Sequence, residues 1–183
     1  MGLPVSAGAP SAWVQRWSHL LAPDASVLDV ACGGGRHLAW FSGRGHAVCG
    51  VDIDTASAAA NAPLAELIQG DIENGPWPLP QRQFGAVVVC NYLWRPLFPR
   101  LLESLADGGV LIYETFASGQ EFLGRPRRPD FLLQPGELLH VCTDLHVVAY
   151  ECGLADTPPR AVQRIVAVRA EKSDGVSRAL SLK

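Results

Sequence analysis

Apolar positions change their period several times along this chain. Near the start, Trp13, Trp17, Leu20 and Leu21 recur at i, i+4, i+7 and i+8, one stripe of an amphipathic helix that Pro23 closes. From Ser26 the apolar run is continuous. Val27–Ala31 reads as a short buried strand entering a glycine cluster, and residues 37–45 as a helix ended by Gly43 and Gly45. His46–Ile53 is a second strand, residues 55–62 a short alanine-rich helix stopped at Pro63, and Leu67–Asp71 a weak third strand. A proline-rich connector over 75–83 leads into residues 84–93. There Val87, Val88 and Val89 lack polar alternation, which predicts a strand buried on both faces of a parallel sheet. Leu97, Leu101, Leu102 and Leu105 mark one helical stripe that Gly108 and Gly109 end, and Val110–Phe116 is a fifth strand. Residues 117–135 are polar and rich in Arg and Pro. A short helix near 135–142 follows, then two closing strands, 145–152 and 161–170, joined by a Gly/Pro turn segment.

Strands alternating with helices predict a doubly wound, Rossmann-like α/β sheet. The composition fits one such domain. The chain has 183 residues, 48% of them hydrophobic and 18% charged, which excludes disorder and coiled coil. No internal repeat or long linker divides it, so residues 1–183 read as a single domain. Its core spans about 12–169, and a polar, frayed tail covers 171–183. No apolar run reaches the ~18 residues of a membrane span. A net charge of −3 disfavours nucleic acid or an acidic membrane as partner. The five cysteines form no C-x-x-C pair, which argues against zinc or any other metal site and for a reducing compartment. The N-terminus lacks the charged start and apolar stretch of a signal peptide, so a cytoplasmic location is expected.

The sharpest chemical feature is the strand, glycine turn and helix start over Val27–His37. Glycine lets a ligand approach the backbone without a Cβ in the way, and the turn's N–H groups can receive an anion. A plain strand-to-helix turn would also contain glycine. Asp52 closes the second strand, where an acid can hydrogen-bond a ribose diol, and Asp71 closes the third. With Asp29, Asn91 and Glu114 these put five polar side chains at one edge of the predicted sheet, more than helix capping explains. The spacing is not that of a dinucleotide site: Gly33-x-Gly35 is followed by Leu38 where G-x-G-x-x-G has its third glycine. A phosphate-binding G-x-x-x-x-G-K-[ST] loop is absent.

At these residues the chain resembles class I S-adenosylmethionine-dependent methyltransferases. Val27–His37, the acidic end of residues 50–54, residues 70–74 and the segment 77–93 are similar to motifs I to IV of that family. The wording of residues 32–37 and 45–54 is similar to the small bacterial tellurite-resistance methyltransferases. The resemblance implies a seven-stranded sheet with an antiparallel last strand and S-adenosylmethionine as cofactor. Carried over, it implies that Asp29 orients the loop and the methionine amino group. Ala31, Cys32, Gly33 and Gly35 would present backbone to methionine and ribose. Asp52 would bind the ribose hydroxyls and Ile53 would pack on adenine. Asp71 would meet the adenine amino group beside Ile72, and Cys90 and Asn91 would lie beside the sulfonium. Phe84-Gly85 departs from the family's frequent Phe-Asp. Asn91-Tyr92-Leu93-Trp94 is not the D/N-P-P-[YF] of amine-directed enzymes.

Because a sulfonium already carries a good leaving group, such a reaction needs mainly positioning, and no catalytic base is assigned. The implied function is methyl transfer to a small-molecule or metalloid-like acceptor. Tyr92, Arg95 and Glu114 are the substrate-side candidates, with Trp94 divided between that pocket and packing. Residues 124–129 form a basic patch that reads either as a lid for an anionic substrate or as a solvated loop. His37 reads as facing the cofactor or capping outward, and Arg16 as a weaker candidate for the methionine carboxylate. Two other readings stay open: a non-catalytic binding module on the same fold and a nicotinamide-dependent oxidoreductase.

Overall fold

The computed structural model describes residues 8–171. In chain order its elements are α1 (Ala12–Trp17), β1 (Val27–Val30), α2 (Arg36–Ser42), β2 (Val48–Asp52), α3 (Ala56–Asn61) and β3 (Glu66–Gln69). Then come β4 (Phe84–Cys90), α4 (Phe98–Glu103), β5 (Leu105–Phe116), α5 (Glu137–Val141), β6 (His146–Asp156) and β7 (Pro159–Val168). The expected tail lies, apart from Glu171, outside the described residues.

The strands form one seven-stranded sheet in the order β3-β2-β1-β4-β5-β7-β6. The pairs from β3 to β5 are parallel, and β7 runs antiparallel to both β5 and β6. The expected fold class is therefore found. Alternating side chains of the central strands feed two cores. On one face Val27, Val48, Ala86, Val88, Val110 and Ile112 pack against Trp13, Val14 and Trp17 of α1 and Leu38 and Phe41 of α2. On the other, Leu28, Val30, Val87, Val89, Leu111 and Tyr113 meet Leu97 and Leu101 beside α4 and Leu138 of α5. Each large apolar side chain so buried stabilises the fold by about 1.5–3 kcal/mol. The first helix owes its start to Ser11, whose side chain accepts from the Trp13 and Val14 N–H groups.

Several boundaries differ from the sequence reading: α1 ends at Trp17, short of Leu20 and Leu21, and β3 ends at Gln69, two residues before Asp71. Leu105 does not extend the α4 stripe but opens β5, opposite Phe84, and the ladder slips between Phe84 and Ala86. Gly108 and Gly109 lie inside that irregular stretch: Gly108 takes φ +71°, and a Cβ on Gly109 would sit 2.7 Å from the Ala106 carbonyl. The Gly/Pro segment between the closing strands is mostly strand. β6 continues through Gly153 to Asp156, and only Thr157 and Pro158 separate it from β7. Gly85 also has a packing reason, since a Cβ there would come within 2.7 Å of Ala25 Cβ. Among the described residues no helix is long and apolar enough to cross a membrane.

Candidate functional site

The carboxyl ends of β1, β2 and β4 converge on the glycine turn. Immediately after β1, Ala31 has φ +55°, Gly33 +52° and Gly35 +77°. After the paired strand β4, Asn91 has φ +56°. Two non-glycine residues in the left-handed region, at the ends of adjacent strands, mark a constrained edge. Gly35 is required for a second reason: a Cβ would lie 3.1 Å from Ala58 Cα, where α3 approaches the turn. Three bonds hold the turn's shape. Cys32 N–H donates to the Val51 carbonyl at 3.1 Å. Gly33 N–H donates to Asp52 Oδ2 at 2.8 Å, and Asn61 Nδ2 donates to the Gly34 carbonyl at 2.9 Å. Asp52 therefore sits against the turn, with Oδ1 accepting from Asp54 N–H at 3.2 Å. Burial and the nearby Asp29 and Asp52 push the Cys32 thiol up to about 12, which keeps it protonated.

Beside Asp52, Ile53 is 65% exposed, so an apolar surface stands open at the end of β2. Asp71 closes its own loop: Oδ1 accepts from the Glu73 and Asn74 N–H groups at 3.0 and 2.9 Å, and Oδ2 from Asn74 Nδ2. These donors hold its carboxyl below the usual range. Ile72 is buried in the core.

On the face covered by α1 and α2 lies a row of buried polar groups. Asp29 is 1% exposed, and its Oδ2 has no hydrogen-bond partner. The nearest donor is His37 Nδ1, 3.6 Å away. His37 is itself buried, so it neither caps outward nor stands exposed at the turn. Its Nε2 accepts from Ser11 N–H at 3.2 Å. Across β4, in register with Cys90, Glu114 is buried on β5. It accepts from Ser11 Oγ at 2.9 Å, Arg164 Nη1 at 3.0 Å and Arg160 Nη2 at 3.4 Å. Cys90 is enclosed between them, and burial together with Glu114 and Asp29 drives its thiol far above the ordinary range. Glu114, expected to line an acceptor pocket, is thus the centre of an ion cluster. Ser11, Arg160 and Arg164 were absent from the sequence-derived set. Ser11 carried one local signal, a cap position before a helix. The arginines carried none, because their role depends on the register of β7 against β5.

Tyr92 reaches Glu73 Oε1 through its hydroxyl at 3.3 Å, and burial next to that carboxylate raises its pKa. Trp94 packs partly buried on the α4 and α5 core. Arg95 does not stand free: it donates to Glu137 Oε1 and Oε2 at 2.6 and 3.0 Å and to the Asp130 and Leu132 carbonyls at 2.9 Å each. It clamps the 117–135 segment and α5 to the loop after β4. That segment is also tied by Ser118 N–H to the Leu133 carbonyl and by Gln120 Oε1 to Ala161 N–H. In its basic stretch Arg128 pairs with Asp130 at 2.8 Å. Arg16 stacks over Trp17 and faces Glu151 at 3.8 Å, away from the turn's bonds. Among the described residues no group of three or more His, Cys, Asp or Glu is arranged to hold a metal ion.

The methyltransferase-domain family model matches residues 27–109, from β1 through the glycine pair of β5. No curated protein matches the sequence. Among solved structures, a SAM-dependent methyltransferase from Methanosarcina mazei is 14% identical with a TM-score of 0.68, covering 90% of this chain and 100% of that one. A TehB-like SAM-dependent methyltransferase from Corynebacterium glutamicum is 19% identical, TM-score 0.64, covering 86% of each chain. Magnesium protoporphyrin IX methyltransferase from Synechocystis, solved with bound SAH, is 16% identical, TM-score 0.62, covering 87% of this chain and 80% of that one. At such identities the likeness is one of fold, and it extends well beyond the matched motifs. Over residues 27–109 the chain matches the methyltransferase-domain model, and its fold is that of solved S-adenosylmethionine-dependent methyltransferases.

Proposed function

We propose that the protein binds S-adenosylmethionine at the carboxyl edge of β1, β2 and β4 and directs its methyl group to a small acceptor, an organic molecule or a metalloid-like oxyanion. The unpartnered Asp29 Oδ2 carries this reading. A buried carboxylate oxygen costs several kcal/mol unless a donor or cation reaches it. Here the neighbouring His37 stops 3.6 Å short. The methionine ammonium of the cofactor is a donor of the right charge, next to a turn whose glycines admit the rest of the molecule.

In this reading Ala31, Cys32, Gly33 and Gly35 offer backbone to methionine and ribose. Asp52 takes the ribose hydroxyls from its place against Gly33 N–H. Ile53, open to solvent, packs on the adenine, with Ile72 in the wall behind. Asp71 orders the loop that faces the adenine amino group, and Cys90 and Asn91 flank the sulfonium. The cofactor supplies an electrophilic methyl group. The chain supplies position, worth about 7–11 kcal/mol in a well-aligned encounter, and the acceptor atom decides whether a base is needed.

Arg160 supports an acceptor bearing an anionic oxygen. At the start of antiparallel β7 it lies at this same edge. Its contact with Glu114 is a long 3.4 Å, its buried Nε has no partner, and about a quarter of the side chain (24%) is exposed. The basic stretch at 124–129 belongs to the same substrate-side segment, and Arg95 serves as its clamp rather than as an acceptor ligand. Among the described residues, this insertion is the main stretch outside the sheet and its helices, which favours a small acceptor. Unpaired cysteines, four of them buried, support a cytoplasmic setting.

Isothermal titration with S-adenosylmethionine tests the reading directly: saturable heat with folded protein is expected, and its absence overturns the proposal. A screen for methyl transfer to oxyanions and small carboxylates separates an enzyme from a non-catalytic binder, which would titrate without turnover. NADH should leave the protein's fluorescence unchanged.

A further inference from the structure

The cofactor-side carboxylate and the acceptor-side ion cluster lie on strands two places apart, β1 and β5, with β4 between them. That separation is about 10 Å at the usual strand spacing. One residue outside the sheet touches the groups of both. Ser11 is 8% exposed, ahead of α1, with the Cys90 thiol also beside its hydroxyl. The hydroxyl oxygen accepts from Trp13 N–H at 3.1 Å and Val14 N–H at 3.5 Å. Its single proton is therefore left for Glu114 Oε1, at 2.9 Å.

The backbone of the same residue acts on the other side. Ser11 N–H donates to His37 Nε2, and a ring nitrogen can accept only through its lone pair. His37 must then be neutral, with its proton on Nδ1. That proton faces the Asp29 oxygen that nothing else partners. The row runs Asp29, His37, Ser11, Glu114, then Arg160 and Arg164. From His37 onward the links are hydrogen bonds, the Asp29 end is a 3.6 Å approach, and Ser11 is the row's only member from outside the sheet and α2.

We propose that Ser11 is a positioning residue for the transfer site. Its N–H sets the His37 tautomer that turns Nδ1–H toward Asp29 Oδ2 from 3.6 Å, and its hydroxyl holds Glu114 against the two arginines. The inference rests on the cofactor reading above for its functional meaning, but not for its geometry. Wrapping residues 8–11 across the end of β4 thus has a purpose beyond starting a helix. It makes the spacing of the cofactor-side and acceptor-side groups a property of one short segment. A plain cap would need the hydroxyl's acceptor side only; the donation to Glu114 and the N–H on a buried imidazole are surplus to capping.

The two roles can be separated by substitution. Ser11→Ala removes the hydroxyl and keeps the N–H. Ser11→Pro removes both, and its ring suits the φ of −55° already present. Ser11→Thr keeps both. Ser11→Asp keeps the cap acceptor but cannot donate to Glu114. Nitrogen-15 spectra of the whole chain, with the His37 signals assigned by a His37→Gln variant, should show a neutral Nδ1–H imidazole in the wild type. That tautomer should survive in Ser11→Ala and be lost in Ser11→Pro. Titration with S-adenosylhomocysteine should give an affinity about tenfold weaker for Ser11→Pro and near wild type for Ser11→Ala, Ser11→Asp and Ser11→Thr, which keep the N–H. Ser11→Ala and Ser11→Asp, but not Ser11→Thr, should instead raise the KM of an anionic acceptor. A His37 protonated on Nε2 in the wild type overturns the proposal, and so does wild-type affinity in folded Ser11→Pro. If the wild type binds no S-adenosylhomocysteine, the cofactor reading falls, and the His37 tautomer still decides whether Ser11 braces this edge.

Discussion

Along β1 to β3 the carboxyl edge is held by bonds between residues fewer than thirty apart in sequence: the turn after β1 to Asp52 at the end of β2, Asn61 to Gly34, Asp71 to its own loop. Along β5 to β7 the same edge is held by partners far apart in sequence. Ser11 meets Glu114, Glu114 meets Arg164, and Arg95 meets Glu137. The first arrangement fixes one backbone shape, which suits the proposed cofactor. The second sets charged side chains along the edge, which suits the proposed anionic acceptor. On this comparison, changes in the first half should alter cofactor affinity, and changes in the second should alter acceptor use alone.

The largest effect is expected at Asp29. Replacing it by Asn removes a buried negative charge that has no close partner in the unliganded protein, so the melting temperature should hold or rise. The same change should weaken S-adenosylmethionine by about a hundredfold, because the ammonium loses its counter-charge. Calorimetry and a thermal melt on one sample test both signs. A fall in stability with affinity intact would mean that the Asp29 oxygen serves the fold and not the cofactor. Next is Asp52→Ala, which removes the ribose acceptor and frees the Gly33 N–H, and should cost roughly 1.5–3 kcal/mol of binding. Unchanged affinity would remove Asp52 from the site.

The contrast also explains how much could be read before the fold was known. The parallel half announces itself locally. Val27–Val30 lead into a glycine turn, Asp52 closes β2 and Asp71 follows β3 by two residues, so motif spacing alone locates the turn and both acids. The antiparallel half depends on register. Whether Arg160 and Arg164 face Glu114 is decided by how β7 slides against β5, and nothing near residue 160 encodes that. Leu105 was misplaced for a similar reason. Its spacing continues a helical stripe, but pairing opposite Phe84 and burial in the core draw it into β5. Arg95, beside a proline at a strand end, looked like an open substrate ligand because its partner Glu137 lies in a different element.

In the acceptor half, Arg160→Gln should leave cofactor affinity within about twofold and raise the KM of an anionic acceptor about tenfold, the loss of one charge-assisted hydrogen bond. Glu114 keeps Arg164 and Ser11, so the fold should tolerate the change. If a screen finds only uncharged acceptors, or the KM of an anionic one does not move, Arg160 is a structural partner of Glu114.

The smallest expected effect is a pH dependence of the 117–135 segment. Burial works against ionised Glu137, but the Arg95 fork and the Gln134 N–H outweigh it and hold its carboxyl below the usual range. A carboxyl depressed in the folded state contributes stability above its unfolded pKa, near 4.3, and loses that contribution as pH falls through the lower folded value. The side chain is partly shielded, with 17% exposed against 37% for Arg95, so screening limits the contribution to about 1 kcal/mol. Amide exchange in residues 117–135 should therefore be flat from neutral pH to about 5, after correction for intrinsic rates, and accelerate below about pH 4. Glu137→Gln should bring the faster exchange to neutral pH and leave the glycine turn's protection as it was. Equal acceleration in both halves would mean that the clamp is part of the common core, and that the two sides of the edge are not independently held.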